Sequence, residues 1–357
     1  MSAPIAFINL DGINVTPYFE HYEHLLTKPY DYIYWQRSGI GVEPDAQKVW
    51  RYKHTVSSSG SKKYMDLFTG YFGFRQFARR ILLSENYQRV IALTGNSAVL
   101  VGDVLKQKYR GRYLIDIRDY FLENNPLYRM LEEKIIDSSG LSIISSPAYT
   151  SFLGVHDFLL MHNAHLIPQS DILRVNQRKR PGTPLVLASI GTAKNIELDK
   201  LVLDFFANDS RFKLMFLGRG YEQLRPYIES KKIENAVVSG EFDSSQTYAL
   251  YENVDVVMSM YGSKSTHVKY QLTNKLYYAA QLHLPILVSP GSYMETISSE
   301  YDFGLACDLS DESLKDKIFE MFEPCKFKRM CDRMDCFMED VLATNRKTNL
   351  SVQAFLQ

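Results

Sequence analysis

The chain has 357 residues, longer than the roughly 100 to 200 of one typical domain, so two domains with separate cores are expected. It carries 41 basic and 41 acidic side chains, and a formal charge of zero excludes a general nucleic-acid binder that works by neutralising phosphates. With 45% hydrophobic and 23% charged residues it has a globular composition, without the run of about 18 apolar residues that a membrane span needs. Met1-Ser2-Ala3-Pro4-Ile5 leads straight into a strand with no basic and apolar leader, so the expected location is cytoplasmic.

In chain order, Ile5 to Asn9 reads as a first strand ending in Leu10-Asp11-Gly12, where the glycine allows close backbone approach. A helix-like segment from Tyr18 to Leu26 precedes a second strand, Tyr30 to Trp35. The loop Val56 to Lys62 lacks the spacing of a phosphate-binding P-loop and enters a helix from Tyr64 to Leu83. That helix has one apolar stripe (Leu67, Tyr71, Phe74, Ala78, Ile81) and a surplus second one (Met65, Phe68, Phe72) trailed by Arg75, Arg79 and Arg80. A second stripe fits either packing on two sides or docking on an anionic membrane through the three arginines.

Further strands are expected at Val90–Leu93, Tyr113–Ile117, Leu141–Ser145 and Phe158–Met161, with helices between most of them, which means a parallel sheet. Their trailing loops offer Thr94-Gly95-Asn96, Arg118-Asp119, Ser146-Pro147 and His162-Asn163. Residues 1–172 form the expected first domain and 173–184, polar and basic, the linker. Strands at Leu185–Ser189, Lys213–Leu217, Ala236–Val238, Val254–Met258, Pro285–Val288 and Gly304–Ala306 define a second domain, 185–335. Residues 336–357 are a helical tail expected to cross back. The fold class is α/β, with two doubly wound, Rossmann-like domains of six strands each facing a cleft. Cys307, Cys325, Cys331 and Cys336 include no C-x-x-C pair, so reduced, mostly buried thiols are expected. The spacing of His156, His162 and His165 does not suggest a metal site.

The words Asn274-Lys275-Leu276-Tyr277, Leu284-Pro285-Ile286-Leu287-Val288 and Gly304 carry a resemblance that extends to the first half. There the matching words are Ile115-Asp116-Ile117-Arg118-Asp119, Glu123-Asn124, Ser145-Ser146-Pro147 and His162-Asn163. Together they resemble GT-B glycosyltransferases, especially the retaining, family 4-like enzymes of bacterial capsular or other surface-polysaccharide synthesis. The resemblance implies a nucleotide-diphosphate-sugar donor, UDP more than GDP, a glycan or polyprenyl-linked acceptor, retention of configuration, and neither metal nor cofactor. The family frame is Asn-Lys-Leu-x-Glu with a glycine two residues before the proline. Here Tyr278 takes the Glu position and His283 the Gly position.

A leaving diphosphate gathers charge as the glycosidic bond breaks and needs cations or backbone N–H groups. The loop after the second domain's first strand contains Gly191, Thr192 and Lys194, and its family counterpart faces the diphosphate. Arg219 and Gly220 follow the next strand, and by resemblance Arg219 is a phosphate partner. Gly240 and Phe242 stand where the family holds the base. Asn274 and Tyr278 share a helix face, and Lys275 adds charge to a helix amino terminus that already favours anions. Lys264, Ser265, Thr266 and His267 lie in the preceding loop. Asp119 and Arg118 are the catalytic candidates, the first toward an acceptor hydroxyl and the second toward an acceptor phosphate, or else an ion pair fixing the loop. Asp11, Gly12 and Asn96 are the acceptor-binding candidates. Two rivals remain: a sugar-nucleotide epimerase using Glu241 and Glu295, and a non-catalytic GT-B-shaped partner subunit, which Tyr278 and His283 favour.

Overall fold

A computed structural model of the chain describes residues 3–13, 16, 18–37, 44–57, 60–176 and 182–357. Part of the expected linker, 177–181, therefore lies outside the described residues. By internal contacts the chain divides into residues 1–162 with 344–357, and residues 163–343. The first division falls earlier than the expected 172 because Ala164, Ile167 and Val175 are buried in a core of the second unit.

The first unit is a seven-stranded parallel sheet: β1 (Ile5–Asn9), β2 (Tyr30–Gln36), β3 (Lys48–Lys53), β4 (Arg89–Leu93), β5 (Tyr113–Ile117), β6 (Leu141–Ile144) and β7 (Phe158–Leu160). Its order is β3-β2-β1-β4-β5-β6-β7. The second unit has six parallel strands: β8 (Leu185–Ile190), β9 (Phe212–Leu217), β10 (Ala236–Ser239), β11 (Val256–Ser259), β12 (Ile286–Val288) and β13 (Gly304–Ala306), ordered β10-β9-β8-β11-β12-β13. Central strands such as β1 and β11 are buried at every residue, as strands covered on both faces require. The sequence reading expected six strands in the first sheet. The seventh, β3, is a charged edge strand that pairs only with β2, so it never shows the continuous apolar run of its neighbours.

Each sheet reverses its winding once, between β1 and β4 and between β8 and β11. In open α/β sheets such switch points open a crevice at the strands' carboxyl ends.

The expected helix from Tyr64 to Leu83 spans Gly60–Ser84. Its inner stripe of Phe74, Ala78, Ile81 and Leu82 is buried, whereas Tyr64, Met65, Phe68 and Phe72 are 75%, 64%, 73% and 62% exposed. The second stripe thus faces solvent. Of the three arginines, Arg75 and Arg79 both grip Asp103, at 3.1 and 2.6 Å, and Arg75 also donates to the Leu100 carbonyl. Only Arg80 is exposed, together with Lys62 and Lys63 nearer the helix start. The tail forms helices Leu314–Glu320 and Pro324–Leu356, the latter entering the first unit from residue 344. The cysteines are reduced, but Cys325 and Cys336 are exposed, against the expectation of mostly buried thiols.

Candidate functional site

At the carboxyl end of the second sheet, the loops after β8 and β9 are nested. Gly191 N donates to the Leu217 carbonyl and Ala193 N to the Arg219 carbonyl, continuing the ladder beyond the strands. Gly191 (φ 120°) and Gly218 (φ 132°) adopt backbone that glycine alone takes easily, and a Cβ on Gly218 would lie 2.0 Å from the Gly191 carbonyl oxygen. Gly220 also has positive φ, and its N–H donates to Glu222. Thr192, Lys194 and Arg219 project into solvent on this edge, which leaves both cations available to an anion.

Lys275, placed by the first turn of the helix Asn274–Gln281, is buried. Its Nζ donates to Ser189 Oγ at 2.7 Å and to the Met258 carbonyl at 3.2 Å, so it ties the end of β8 to β11 across the switch point. Ser189 Oγ is 2.6 Å from the Tyr221 hydroxyl, and Nζ stands 5.1 Å from the centre of the Tyr261 ring. Burial works against the ammonium, but Tyr261, Tyr221 and Asp199 outweigh it and hold the lysine pKa above its ordinary value. The sequence reading placed Lys275 beside the helix terminus; in the structure its charge is buried between the end of β8 and β11.

Asp199 is a further buried acid that feels the charge of Lys275, and the sequence reading missed it. Burial pushes its carboxyl up to about 7 against the pull of Lys275, and Oδ2 has no hydrogen-bond partner. A signal existed: Asp199 leads the buried stripe Val202, Leu203, Phe206, an acid where helical spacing calls for an apolar side chain.

The other donor candidates separate. Asn274 accepts from Asn163 Nδ2 at 3.0 Å. Tyr278 packs edge-on against Tyr248 and Tyr251, with ring centres 5.7 and 6.0 Å away, so an aromatic cluster occupies the place of the family's carboxylate. Phe242 is half-buried against the core, beyond the half-exposed Gly240. His283 takes the left-handed conformation (φ 51°) that ends the helix, which explains the family's glycine there. Lys264 and Ser265 are exposed, while Thr266 and His267 are half-buried in a short helix. Glu295 caps its own helix, accepting from Gly291 N at 2.6 Å, and Glu241 is exposed elsewhere, so the two acids of the epimerase reading have separate settings.

In the first unit, Arg118 is buried and bidentate to Asp116, at 2.7 and 2.9 Å, with a third bond to the Met161 carbonyl. Tyr22 donates to the same Asp116. The ion pair weighed from sequence therefore exists, with Asp116 and not Asp119, because residues two apart share a strand face. Asp119 stays exposed at the end of β5. Asp11 pairs with Arg37 at 3.5 Å, and burial raises its pKa despite that arginine; the Gly12 carbonyl accepts from Thr16. Asn96 accepts from the Tyr128 hydroxyl at 2.6 Å, next to Thr94, whose φ of 118° is strained for a non-glycine residue. Glu132, 1% exposed, lies beneath Gly95, and burial pushes its carboxyl up to about 8, aided by Glu123 and Glu133. His162 is held well below its usual range, at about 4, by burial and by Arg118. Among the described residues, no group of three or more His, Cys, Asp or Glu is placed to hold a metal, and no helix is long and apolar enough to cross a membrane.

No family model and no curated protein matches the sequence. Solved structures do match over the whole length. Sucrose-phosphate synthase from Thermosynechococcus elongatus superposes with a TM-score of 0.66 at 14% identity, covering 99% of each chain. The fold is GT-B. HepE from Anabaena in complex with UDP is similar at a TM-score of 0.65 and 11% identity, over 99% of this chain and 100% of that one. WaaG, a glycosyltransferase involved in lipopolysaccharide biosynthesis, follows at 0.63 and 11%, over 97% and 98%.

Proposed function

We propose that this GT-B chain is a glycosyltransferase that moves a hexosyl group from a nucleotide-diphosphate sugar to a lipid-linked surface glycan at the cytoplasmic face of the membrane. The observation that carries this reading is Lys275, a buried cation spanning the β8–β11 switch point, bound to Ser189 two residues before the Gly191 turn. As the anomeric C–O bond breaks, the electron pair goes to the diphosphate, and a cation fixed in a low-dielectric setting stabilises that charge more than a hydrated one does. Lys194 and Arg219 add exposed positive charge at the same edge, so the proposal needs no metal or cofactor. UDP is favoured over GDP because HepE has been solved with UDP and with UDP-glucose. Gly191, Thr192 and Gly220 face the diphosphate, Gly240 and Phe242 the base, and Asn274 and Tyr278 the ribose or sugar. On the acceptor side the proposal keeps Asp119, as hydrogen-bond acceptor for the attacking hydroxyl, and the switch-point loops of Asp11, Gly12 and Asn96, and it takes configuration as retained. The exposed aromatics of helix Gly60–Ser84, with Lys62, Lys63 and Arg80, would meet anionic lipid.

Incubation with UDP- and GDP-sugars and a polyprenyl-linked acceptor, with and without a chelator, tests the reading through release of the nucleoside diphosphate. Chelator-resistant UDP release with a glycosylated lipid is expected. The packing of Tyr278 in place of a carboxylate favours a second reading, a non-catalytic partner subunit, and absence of turnover with every donor would select it.

A further inference from the structure

The helix Pro126–Ile136 opens on Asn125, whose Oδ1 accepts from Leu127 N and Tyr128 N, with proline at its first position. One face is built into the first unit: Glu132, Ile135 and Ile136 are buried, and Tyr128 donates to Asn96 Oδ1 at 2.6 Å. A helix that only covers a sheet turns a polar face to solvent. Here the outward face carries Leu127, Met130 and Leu131, at helical spacing, and the preceding loop adds Phe121 and Leu122; all five are between 37% and 62% exposed. Phe121 packs edge-on against Tyr128, ring centres 5.8 Å apart, so loop and helix form one surface. The stripe runs on into Lys134, which lines a cavity of about 250 Å³ together with Lys106, Arg110, Asp137 and Ser138. Three cations and one carboxylate give that cavity a positive balance, and the carboxylate is itself engaged by His156 Nδ1 at 3.1 Å.

We propose that this face is a membrane-docking surface distinct from helix Gly60–Ser84. The five apolar side chains enter the acyl boundary of an anionic bilayer, and Lys106, Arg110 and Lys134 meet lipid phosphates. The occupant follows from the composition: an apolar stripe that ends in cations matches the step from acyl chains to anionic headgroups. Helices Gly60–Ser84 and Pro126–Ile136 both pack on helix Gly102–Lys108, so the two apolar stripes belong to one body. Weak attachments on one body multiply, and loss of either is therefore measurable. The consequence for the acceptor rests on the glycosyltransferase reading above. Tyr128 is part of the docked helix and holds Asn96, so docking fixes the acceptor turn at the bilayer surface, where the glycan of a lipid-linked acceptor stands.

The test is partition of the full chain onto vesicles of phosphatidylcholine, with and without phosphatidylglycerol. Leu127→Gln with Met130→Gln adds no charge and keeps good helix formers, and it should lower partition on the order of tenfold. Lys106→Gln with Lys134→Gln should shrink the preference for phosphatidylglycerol, and this pair keeps the test open if the first does not fold. UDP titration of the same variants reads the donor site separately: unchanged binding is expected, because these residues lie in the other unit from Lys275. Wild-type partition in both pairs of substitutions overturns the inference and leaves the transferase reading intact. So does a dimer, seen by sedimentation velocity, that Leu127→Gln with Met130→Gln dissociates without altering vesicle binding, since the face then belongs to a second copy. Failure of UDP to bind the wild-type chain counts against the donor site alone, and docking still stands or falls on the vesicles.

Discussion

At the scale of single residues, chemistry-bearing side chains divide into those committed to the fold and those left available. Arg118 belongs to the first kind: its guanidinium neutralises Asp116 in a buried site. Breaking such a pair strands a charge, so Arg118→Ala should lower unfolding free energy by about 3 kcal/mol in denaturant titration. Unchanged stability with lost transfer activity would instead give Arg118 back to an acceptor phosphate. Glu132 makes a signed prediction about pH. Its folded pKa of about 8 exceeds the ordinary 4.5, so between those values the unfolded chain binds fewer protons and stability falls as pH rises. Glu132→Gln should therefore raise the melting temperature at pH 8 and leave it nearly unchanged at pH 5. An equal effect at both values would show that the carboxyl ionises normally. Both acids were readable as stripe-breakers, since Glu132 stands three and four residues before the buried Ile135 and Ile136. What one chain of letters does not reveal is which buried acid feels a distant cation: Asp199 and Lys275 stand 76 positions apart in sequence, and burial pushes the acid up to about 7 against the pull of that lysine.

Among elements, strand-loop-helix units were the most legible feature, because apolar runs of four to seven residues separated by helical stretches admit little besides a parallel sheet. All six strands expected in the second domain are present, and the missed β3 is charged and lies at an edge. Glycine positions are the second legible feature, although their reason is spatial: Gly218 is required by the Gly191 carbonyl of the neighbouring loop. Gly218→Ala forces a methyl into that oxygen and a side chain into a glycine-only conformation. We predict a loss of about 2 to 4 kcal/mol in stability, with weaker nucleotide binding from the displaced loops. A neutral effect on both would mean that the two loops are not coupled. Tyr278 illustrates the limit of matching motifs. The family frame locates the position, but the partners of the new side chain, Tyr248 and Tyr251, decide that it packs.

On the scale of the whole molecule, a chain of zero formal charge still concentrates its exposed aromatics on one helix of the first unit, with Lys62, Lys63 and Arg80 on the same helix. Phe68→Glu with Phe72→Glu should abolish sedimentation with phosphatidylglycerol vesicles while leaving nucleotide binding unchanged, because these residues lie in the other unit from Lys275. Persistent sedimentation would assign lipid contact elsewhere.

The central claim, that the carboxyl edge of the second sheet holds a diphosphate through a buried cation, is tested most directly by titrating UDP and uridine into the wild-type chain and into Lys275→Met. That substitution keeps the length of the side chain and removes its charge. The account predicts that UDP affinity falls on the order of tenfold or more, about 1.4 kcal/mol, while any uridine binding changes little. Equal losses for both ligands, or UDP binding that the substitution leaves intact, would contradict it.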